Sequence, residues 1–261
     1  MPSIALSGVI RSLTIYHRDH ARAEAMDRLH AKLLRPGELA FDIGAHVGDR
    51  IASFRRVGAR VVAVEPQTLP MRALQLMYGR DENVQLVEVA CGACDGHLTL
   101  IVNEANPTVT TASKAFVEAA ADAPGWEGQA WDDVQTVTCV TLDSLIARYG
   151  VPDFVKIDVE GFEPDVLSGL STALKALSFE FTTIQRHLVR TCVERLLALG
   201  PYRFNFALGE SQVFALDAPV EAADLFAAVE ALPDEANSGD VYAWRYAGQA
   251  STKPAMSGMP E

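Results

Sequence analysis

The chain has 261 residues, 49% of them hydrophobic, and is long enough to bury the core of a complete α/β domain. Its 34 acidic and 22 basic residues give a formal charge of −12, which opposes nonspecific attraction to nucleic acids and to anionic membranes. Four scattered cysteines are too few for a disulfide scaffold at this length, so a reduced, cytoplasmic setting is expected.

The N-terminal segment contains no apolar stretch of the length of a signal peptide, and no later segment approaches a membrane span. Residues 17–34 place Ala21, Ala25, Leu29 and Leu33 at four-residue spacing, with Met26 three residues before Leu29, which predicts an amphipathic helix. We expect residues 1–38 to form an N-terminal helical cap that packs on the sheet edge or covers the ligand.

Residues 39–66 predict a strand, a glycine turn, a helix and a second strand. An apolar run stops at Gly44, as in a strand buried on both faces of a parallel sheet. Apolar residues at helical spacing follow as far as Gly58, and residues 61–64 form the second buried strand. Glu65 closes that strand, 21 residues after Gly44.

An acidic residue at the end of the second strand of a βαβ unit can accept both hydroxyls of a ribose, so the expected ligand is a nucleoside or nucleotide. A dinucleotide fingerprint requires a glycine where Asp42 stands. The Asp42 carboxylate repels phosphate but suits the amine or sulfonium of S-adenosylmethionine. An ordinary βαβ turn without a ligand is the alternative.

The rest of the chain continues the alternation of strands and helices. Further strands are predicted at residues 84–89, 96–103, 134–140, 154–159, 177–182, 202–208 and 241–246. Residues 213–216 are predicted either to pair with the 202–208 strand or to extend it across a bulge. Helices are predicted at residues 69–78, 141–149, 163–170, 187–199 and 222–232. The order predicts an α/β fold with a doubly wound, mostly parallel seven-stranded sheet, an antiparallel C-terminal edge, an N-terminal helix and a long insertion after strand three. The domain spans residues 39–249, its insertion about 95–140, and residues 250–261 form a flexible tail.

Residues 104–133 lie within that insertion and show no strong periodicity. Long connections of this kind are usually functional or mobile. The segment holds Trp126 and Trp131, so a substrate lid that stacks on an apolar or sugar-ring face is one hypothesis, and a disordered loop is the other.

A second group of acids follows the apolar strand at residues 154–159. Side chains alternate along a strand, so Asp158 and Glu160 should lean the same way, toward the crevice beyond the strand ends. Such a pair can act as a base, bind a metal or fix a substrate hydroxyl. His187 is a candidate proton acceptor. A metal site made of Asp158, Glu160 and Glu180 is an alternative that we do not favour, because the sequence shows no dedicated ligand loop.

The segments FDIGAHVGD and VVAVEP resemble the first and second motifs of class I, Rossmann-like S-adenosylmethionine-dependent methyltransferases. VKIDVEGFEPDVLSG resembles the strand-four signature of the FkbM family within that class, whose members methylate hydroxyl groups on secondary metabolites and sugars. The GHLTL and SGDVYAWR segments are also similar to that family's layout, so the resemblance covers residues 39–246.

The resemblance implies a role for each matching position. By this resemblance, the methionine part of the cofactor contacts Asp42, Gly44, Ala45, His46 and Gly48, and its ribose contacts Glu65. The adenine edge lies against Ala90 and Cys91, and the reaction side is formed by Asp158 and Glu160. His46 departs from the Asn common in this turn, but it can still donate or accept one hydrogen bond.

These observations predict an O-methyltransferase that uses S-adenosylmethionine and acts on a small hydroxylated molecule. Neither a nucleic acid nor a membrane is expected as a partner, and a homo-oligomer is left open. A nucleoside-binding module without catalysis is the main alternative. A dehydrogenase that uses NAD is a weaker one, disfavoured by Asp42.

Overall fold

The computed structural model describes residues 3–246, so the predicted tail at 250–261 lies outside the described residues. The strands are β1 (Leu39–Ile43), β2 (Arg60–Val64), β3 (Val84–Val87), β4 (Ala90–Cys91), β5 (Gly96–Val102), β6 (Asp133–Val140), β7 (Phe154–Ile157), β8 (Ala176–Thr182), β9 (Tyr202–Leu208) and β10 (Ser238–Arg245). The helices are α1 (Ile4–Arg18), α2 (His20–Leu33), α3 (Asp49–Arg56), α4 (Thr68–Tyr78), α5 (Lys114–Ala120), α6 (Leu142–Tyr149), α7 (Glu163–Ser168), α8 (His187–Leu199) and α9 (Ala222–Glu230).

Seven strands form the central sheet in the order β3-β2-β1-β7-β8-β10-β9. Strand β10 runs antiparallel to both of its neighbours, β8 and β9, whereas β1 pairs in parallel with β2 and β7. The predicted doubly wound α/β fold is therefore confirmed, with its antiparallel strand one position in from the sheet edge.

The sheet buries both of its faces, as expected for parallel strands covered by helices. In β1, Phe41 and Ile43 belong to the core on one side of the sheet, and Ala40 belongs to the core on the other side. Helices α7, α8 and α9 contribute to the first core, and α2, α3 and α4 contribute to the second. This leaves the carboxyl ends of the strands as the exposed edge where a ligand can bind.

The N-terminal segment forms two helices where the sequence predicts one. Asp19 takes an extended conformation between α1 and α2, and its side chain accepts a hydrogen bond from the Arg22 amide at 2.9 Å, which caps α2. Helix α1 buries Gly8, Val9 and Ser12. Two of these three residues are small or polar, whereas the large apolar residues Ile4, Leu6, Ile10 and Ile15 are exposed, so the buried face of α1 is not its most apolar face.

The insertion adds a three-stranded sheet in the order β4-β6-β5, with β5 and β6 antiparallel as predicted. The segment between them folds around its own apolar cluster, in which the Phe116 and Trp126 ring centroids lie 5.1 Å apart. Trp131 packs on the same cluster and donates its indole N–H to the Val109 carbonyl at 2.8 Å. The two tryptophans therefore hold the insertion together.

Two smaller expectations differ from the structure. Residues 213–216 lie against β9 with one antiparallel bridge, between Ala207 and Phe214, and with hydrogen bonds between Leu216 and the Asn205 side chain, but they form no regular strand within the described chain. Strand β7 ends at Ile157, two residues earlier than predicted. None of the helices in the described range has both the length and the apolar character needed to cross a bilayer.

Candidate active site

Two adjoining cavities open at the carboxyl ends of β1, β2 and β7. The first, the apolar cleft, has an empty volume of about 560 Å³ that includes open solvent, and its lining includes Glu65, Ala90, Cys91, Leu98 and Phe162. The second, the polar chamber, has an empty volume of about 540 Å³ that includes open solvent, and its lining includes Tyr16, Asp42, Arg50, Glu180 and Glu210.

The two cavities share one wall, formed by the β1 turn, the end of β7 and one residue of the insertion. The residues that line both are Gly44, His46, Thr108, Asp158 and Glu160. A molecule with a nucleoside at one end and a charged group at the other could therefore lie across this wall, with one end in each cavity.

The turn after β1 requires glycine. Gly44 has φ +86°, and a Cβ atom there would lie 1.8 Å from the Asp158 carbonyl oxygen. Since that oxygen belongs to the backbone, it cannot move aside at little cost. Gly44 thus brings the β1 turn directly against the end of β7.

Glu65 ties the same turn to the end of β2. Its two carboxylate oxygens accept hydrogen bonds from the His46 and Gln67 backbone amides, both at 2.8 Å. The residue is only 2% exposed, and burial raises the pKa of Glu65 to about 7, against the effect of those two amides. Burial also lowers the pKa of His46 to about 4, so its imidazole is neutral.

Asp42 presents an unpaired acceptor beside the polar chamber. It is 1% exposed, and its Oδ2 atom has no hydrogen-bond partner in the described structure. Burial raises the pKa of Asp42 to about 7, and the charge of Asp49 adds to the effect. A buried carboxylate without a partner is costly, and a cationic ligand group removes that cost.

Three carboxyl groups meet where the chamber approaches β7 and β8. Oxygen atoms of Asp158, Glu160 and Glu180 all lie within 4.8 Å of one another. Asp158 and Glu160 line both cavities, but not because of strand alternation, since β7 has already ended. Glu160 reaches the cavities through a left-handed turn, with φ +56° at Glu160 and +82° at Gly161.

Lys156 lies behind this carboxyl cluster, and the sequence analysis missed it. Its ammonium group donates to Asp158 Oδ2 at 3.0 Å and to Asp240 Oδ1 at 2.7 Å, and its side chain is 3% exposed. A lysine in an otherwise apolar buried strand must be paired, so its presence in the FVKI segment is a usable signal.

The cluster contains both charged and protonated carboxyl groups. Burial opposes ionisation of Asp158, but the Lys156 and Arg50 cations outweigh it and lower the pKa of Asp158. Burial, followed by the charge of Asp158, raises the pKa of Glu160 and of Glu180 well above the usual range. These shifts favour the ionised form of Asp158 and the protonated forms of Glu160 and Glu180.

Two of the residues predicted for the site lie elsewhere. His187 is exposed at the start of α8 and lines neither cavity, so the structure gives its predicted role as a proton acceptor no support and that role stays a prediction. Gly48 also lines neither cavity. It begins α3 at φ +81°, and a Cβ atom there would lie 2.7 Å from Leu74 and from Tyr78, so Gly48 serves packing against α4.

The tryptophan prediction is also corrected. Trp126 and Trp131 line neither cavity, because both pack inside the insertion. Segment 104–133 instead reaches the cavities through Thr108, Thr110, Thr111 and Ala112. The remaining predicted residues divide between the cavities: Gly44, His46, Glu65, Ala90 and Cys91 line the cleft, and Asp42, Gly44, Ala45 and His46 line the chamber.

Three chamber residues lie outside every sequence motif considered. Tyr16 comes from α1, Arg50 from α3, and Glu210 from the loop after β9. Arg50 Nη1 bonds the Asp49 carboxylate at 2.9 Å and that of Glu210 at 3.3 Å. Only the folded chain brings these residues together.

Solved structures resemble the chain weakly. A precorrin-6y C5,15-methyltransferase from Geobacter metallireducens is 15% identical (88% of this chain, 90% of that chain, TM-score 0.44). A TehB-like SAM-dependent methyltransferase from Corynebacterium glutamicum is 9% identical (90% and 94%, TM-score 0.46), and an O-methyltransferase from Bacillus cereus in complex with SAH is 11% identical (94% and 92%, TM-score 0.46). At TM-scores below 0.5 these likenesses carry no argument about function.

Comparison with curated proteins gives no match. The family model described as "Methyltransferase FkbM domain" matches residues 42–199, which is more than half of the chain. That range begins at Asp42 and includes Glu65 and the carboxyl residues Asp158 and Glu160. The chain belongs to the FkbM family of S-adenosylmethionine-dependent methyltransferases.

Proposed function

We propose that the protein is an O-methyltransferase that methylates a hydroxyl group of a small molecule. The observation that carries this proposal is the carboxyl cluster of Asp158, Glu160 and Glu180, which opens on a chamber shared with the β1 turn. A neutral hydroxyl is a weak nucleophile and must lose its proton as it is methylated, whereas a neutral amine is nucleophilic without the help of a base. A group of carboxyls beside the cofactor turn therefore favours oxygen as the nucleophile.

The residues of the two cavities fit the cofactor. We assign Glu65 to the ribose hydroxyls, Ala90 and Cys91 to the adenine edge, and Asp42 Oδ2 to the amino group of the methionine part. The support is the unpaired, buried Asp42 oxygen in the chamber and the position of Glu65 in the cleft. S-adenosylmethionine supplies, when bound, a methyl group on a positively charged sulfur.

Glu160 is the proposed proton acceptor, and Asp158 orients the acceptor hydroxyl. Burial and the charge of Asp158 raise the pKa of Glu160, which favours its protonated form in the free chain. A cation in the neighbouring chamber lowers that pKa by Coulomb attraction, so Glu160 loses its proton once a cationic ligand is present. Lys156 holds Asp158 ionised and in place through their 3.0 Å contact.

We propose that this reaction needs no metal ion. The same three carboxyls could hold a divalent cation by their spacing alone. Lys156 already neutralises Asp158, however, and Glu160 and Glu180 favour their protonated forms. Turnover should therefore survive EDTA; loss of activity with EDTA and recovery with Mg²⁺ or Mn²⁺ would instead assign a metal to the cluster.

A small acceptor is supported by shape and charge. The chamber is bounded by α1, α3 and the loop after β9, and its lining is rich in carboxyl groups. The chain as a whole carries a formal charge of −12. Both features oppose binding of an RNA backbone, which requires clusters of Lys and Arg.

The test is methyl transfer from S-adenosylmethionine carrying a tritiated methyl group. Three acceptor sets are offered: small polyols and phenols, primary amines, and total RNA. We expect label only in the hydroxylated set, as an O-methyl product by NMR, and we expect Glu160→Gln to abolish it while the exposed-residue control Glu88→Gln does not. Label in amines or RNA would overturn the O-methyl proposal, and cofactor binding without any transfer would favour a module without catalysis.

A further inference from the structure

Helix α1 contributes one wall of the polar chamber, although it lies outside residues 42–199, which match the family model. Its contribution is Tyr16, which lines the chamber together with Asp158, Glu160 and Glu180. The position of Tyr16 beside the proposed proton acceptor makes it a candidate for direct contact with the acceptor.

Helix α1 is held firmly against the rest of the domain. The Arg11 guanidinium donates to the Ala105 carbonyl at 3.0 Å, and His17 Nε2 contacts the Val47 carbonyl oxygen at 2.8 Å. At Gly8, a Cβ atom would lie 2.6 Å from the Glu104 carbonyl oxygen, so α1 packs directly against the insertion. These contacts lie on both sides of Tyr16 in the sequence and fix its position.

The ring of Tyr16 is fixed from two sides. The Arg22 guanidinium carbon lies 4.8 Å from its centroid, and the His46 ring meets it edge-on at 5.9 Å. Arg22 is itself fixed by Asp49 at 2.7 Å and by the Tyr16 carbonyl oxygen at 3.1 Å. A phenol held in this way offers a hydrogen bond in a fixed direction, at little cost in side-chain entropy.

The Tyr16 hydroxyl is a neutral donor. Burial raises the pKa of Tyr16, and the charges of Glu210 and Asp49 raise it further, so the phenol keeps its proton throughout the physiological range. Thr108 lines the same chamber, and its hydroxyl contacts His46 Nε2 at 3.3 Å. The Tyr16 O–H can donate to an oxygen in the chamber.

We propose that Tyr16 donates a hydrogen bond to a second oxygen of the acceptor, next to the hydroxyl that is methylated. This inference rests on the proposed O-methyl transfer and adds a requirement to it, namely an acceptor with two neighbouring oxygens. Tyr16 thereby becomes a specificity-determining residue supplied by a helix outside the matched family segment.

The test compares two pairs of acceptors that differ by one oxygen: catechol with phenol, and trans-1,2-cyclohexanediol with cyclohexanol. The variant is Tyr16→Phe, which keeps the ring. Tyr149→Phe, at the end of α6 and outside both cavities, is the matched control. We expect kcat/KM for the diol of each pair to fall about 10-fold or more in Tyr16→Phe, because one fixed hydrogen bond is lost. The mono-ol should be unaffected.

The outcomes separate the two proposals. S-adenosylhomocysteine should bind Tyr16→Phe and the parent chain equally, which shows that the cofactor site is intact. If the parent chain methylates the diols and Tyr16→Phe leaves kcat/KM unchanged, the Tyr16 inference fails and the O-methyl proposal stands. If the parent chain binds S-adenosylhomocysteine but methylates no member of either pair, the acceptor requirement is wrong and the inference falls with it.

Discussion

Replacement of Glu65 by alanine is the sharpest perturbation of the proposed cofactor site. The side chain is 2% exposed and lines the apolar cleft at the end of β2. In the free chain it accepts one backbone amide on each carboxylate oxygen, and each oxygen keeps a second lone pair for a ribose hydroxyl. The substitution therefore removes the proposed ribose acceptor and also the support of the His46 and Gln67 amides.

The expected loss in binding follows from these contacts. Hydrogen bonds to a charged group are worth about 1.5–3 kcal/mol each, and leaving the buried ribose hydroxyls without their acceptor costs on the order of 1–3 kcal/mol. This corresponds to a roughly 5- to 150-fold increase in Kd for S-adenosylhomocysteine, at about 1.4 kcal/mol per factor of ten. Glu65→Asp should lose part of this effect, because its shorter side chain keeps the charge but changes the geometry.

Isothermal titration calorimetry with S-adenosylhomocysteine measures the change, and thermal unfolding of each variant shows that the chain is folded at the assay temperature. Glu88→Ala, an exposed glutamate one residue beyond β3, is the control. A Glu65→Ala variant that is folded and binds with the parent Kd would refute the ribose assignment. Equal weakening by Glu88→Ala would show that the effect is not specific to the cleft.

Three further outcomes are expected. The pKa values of Asp42 and Glu65 are both raised to about 7, and ligand groups that donate to them favour ionisation, so the affinity for S-adenosylhomocysteine should rise from pH 6 to 8 in calorimetry; a flat profile would contradict this. Glu160→Gln should lower kcat by roughly 10²–10⁴-fold in single-turnover assays at saturating cofactor, and an unchanged kcat would contradict its role as the proton acceptor. Lys156→Met leaves the Asp158 and Asp240 carboxylates without their cation and should cost about 3–5 kcal/mol of stability in urea unfolding. An unchanged unfolding midpoint would show that these ion pairs are dispensable.

Where local signals agree with the tertiary fold, the sequence predicts element boundaries closely. Helix α6 begins after Thr141, whose hydroxyl accepts the Ser144 amide at 3.0 Å, and ends at Gly150 with φ +97°. Strand β1 ends at Gly44 for a similar reason, since only glycine fits against β7. Caps and tight turns of this kind are encoded within a few residues.

The parts of the site that the sequence did not predict depend on distant contacts. Tyr16 reaches the chamber because α1 packs on the insertion through Gly8, a small residue that does not mark a contact face in the sequence. An aromatic residue in a long insertion suits a substrate face, but it can equally fill a local core, as Trp126 does. His187 sits at the predicted start of α8, yet the orientation of that helix leaves it exposed.

The most direct test of the central claim is a crystal structure of the chain bound to S-adenosylhomocysteine. The account predicts that the adenine lies in the apolar cleft beside Ala90 and Cys91, that the ribose hydroxyls bond Glu65, and that the amino group of the methionine part contacts Asp42. A nucleoside bound elsewhere, or in the cleft with the ribose away from Glu65, would contradict it.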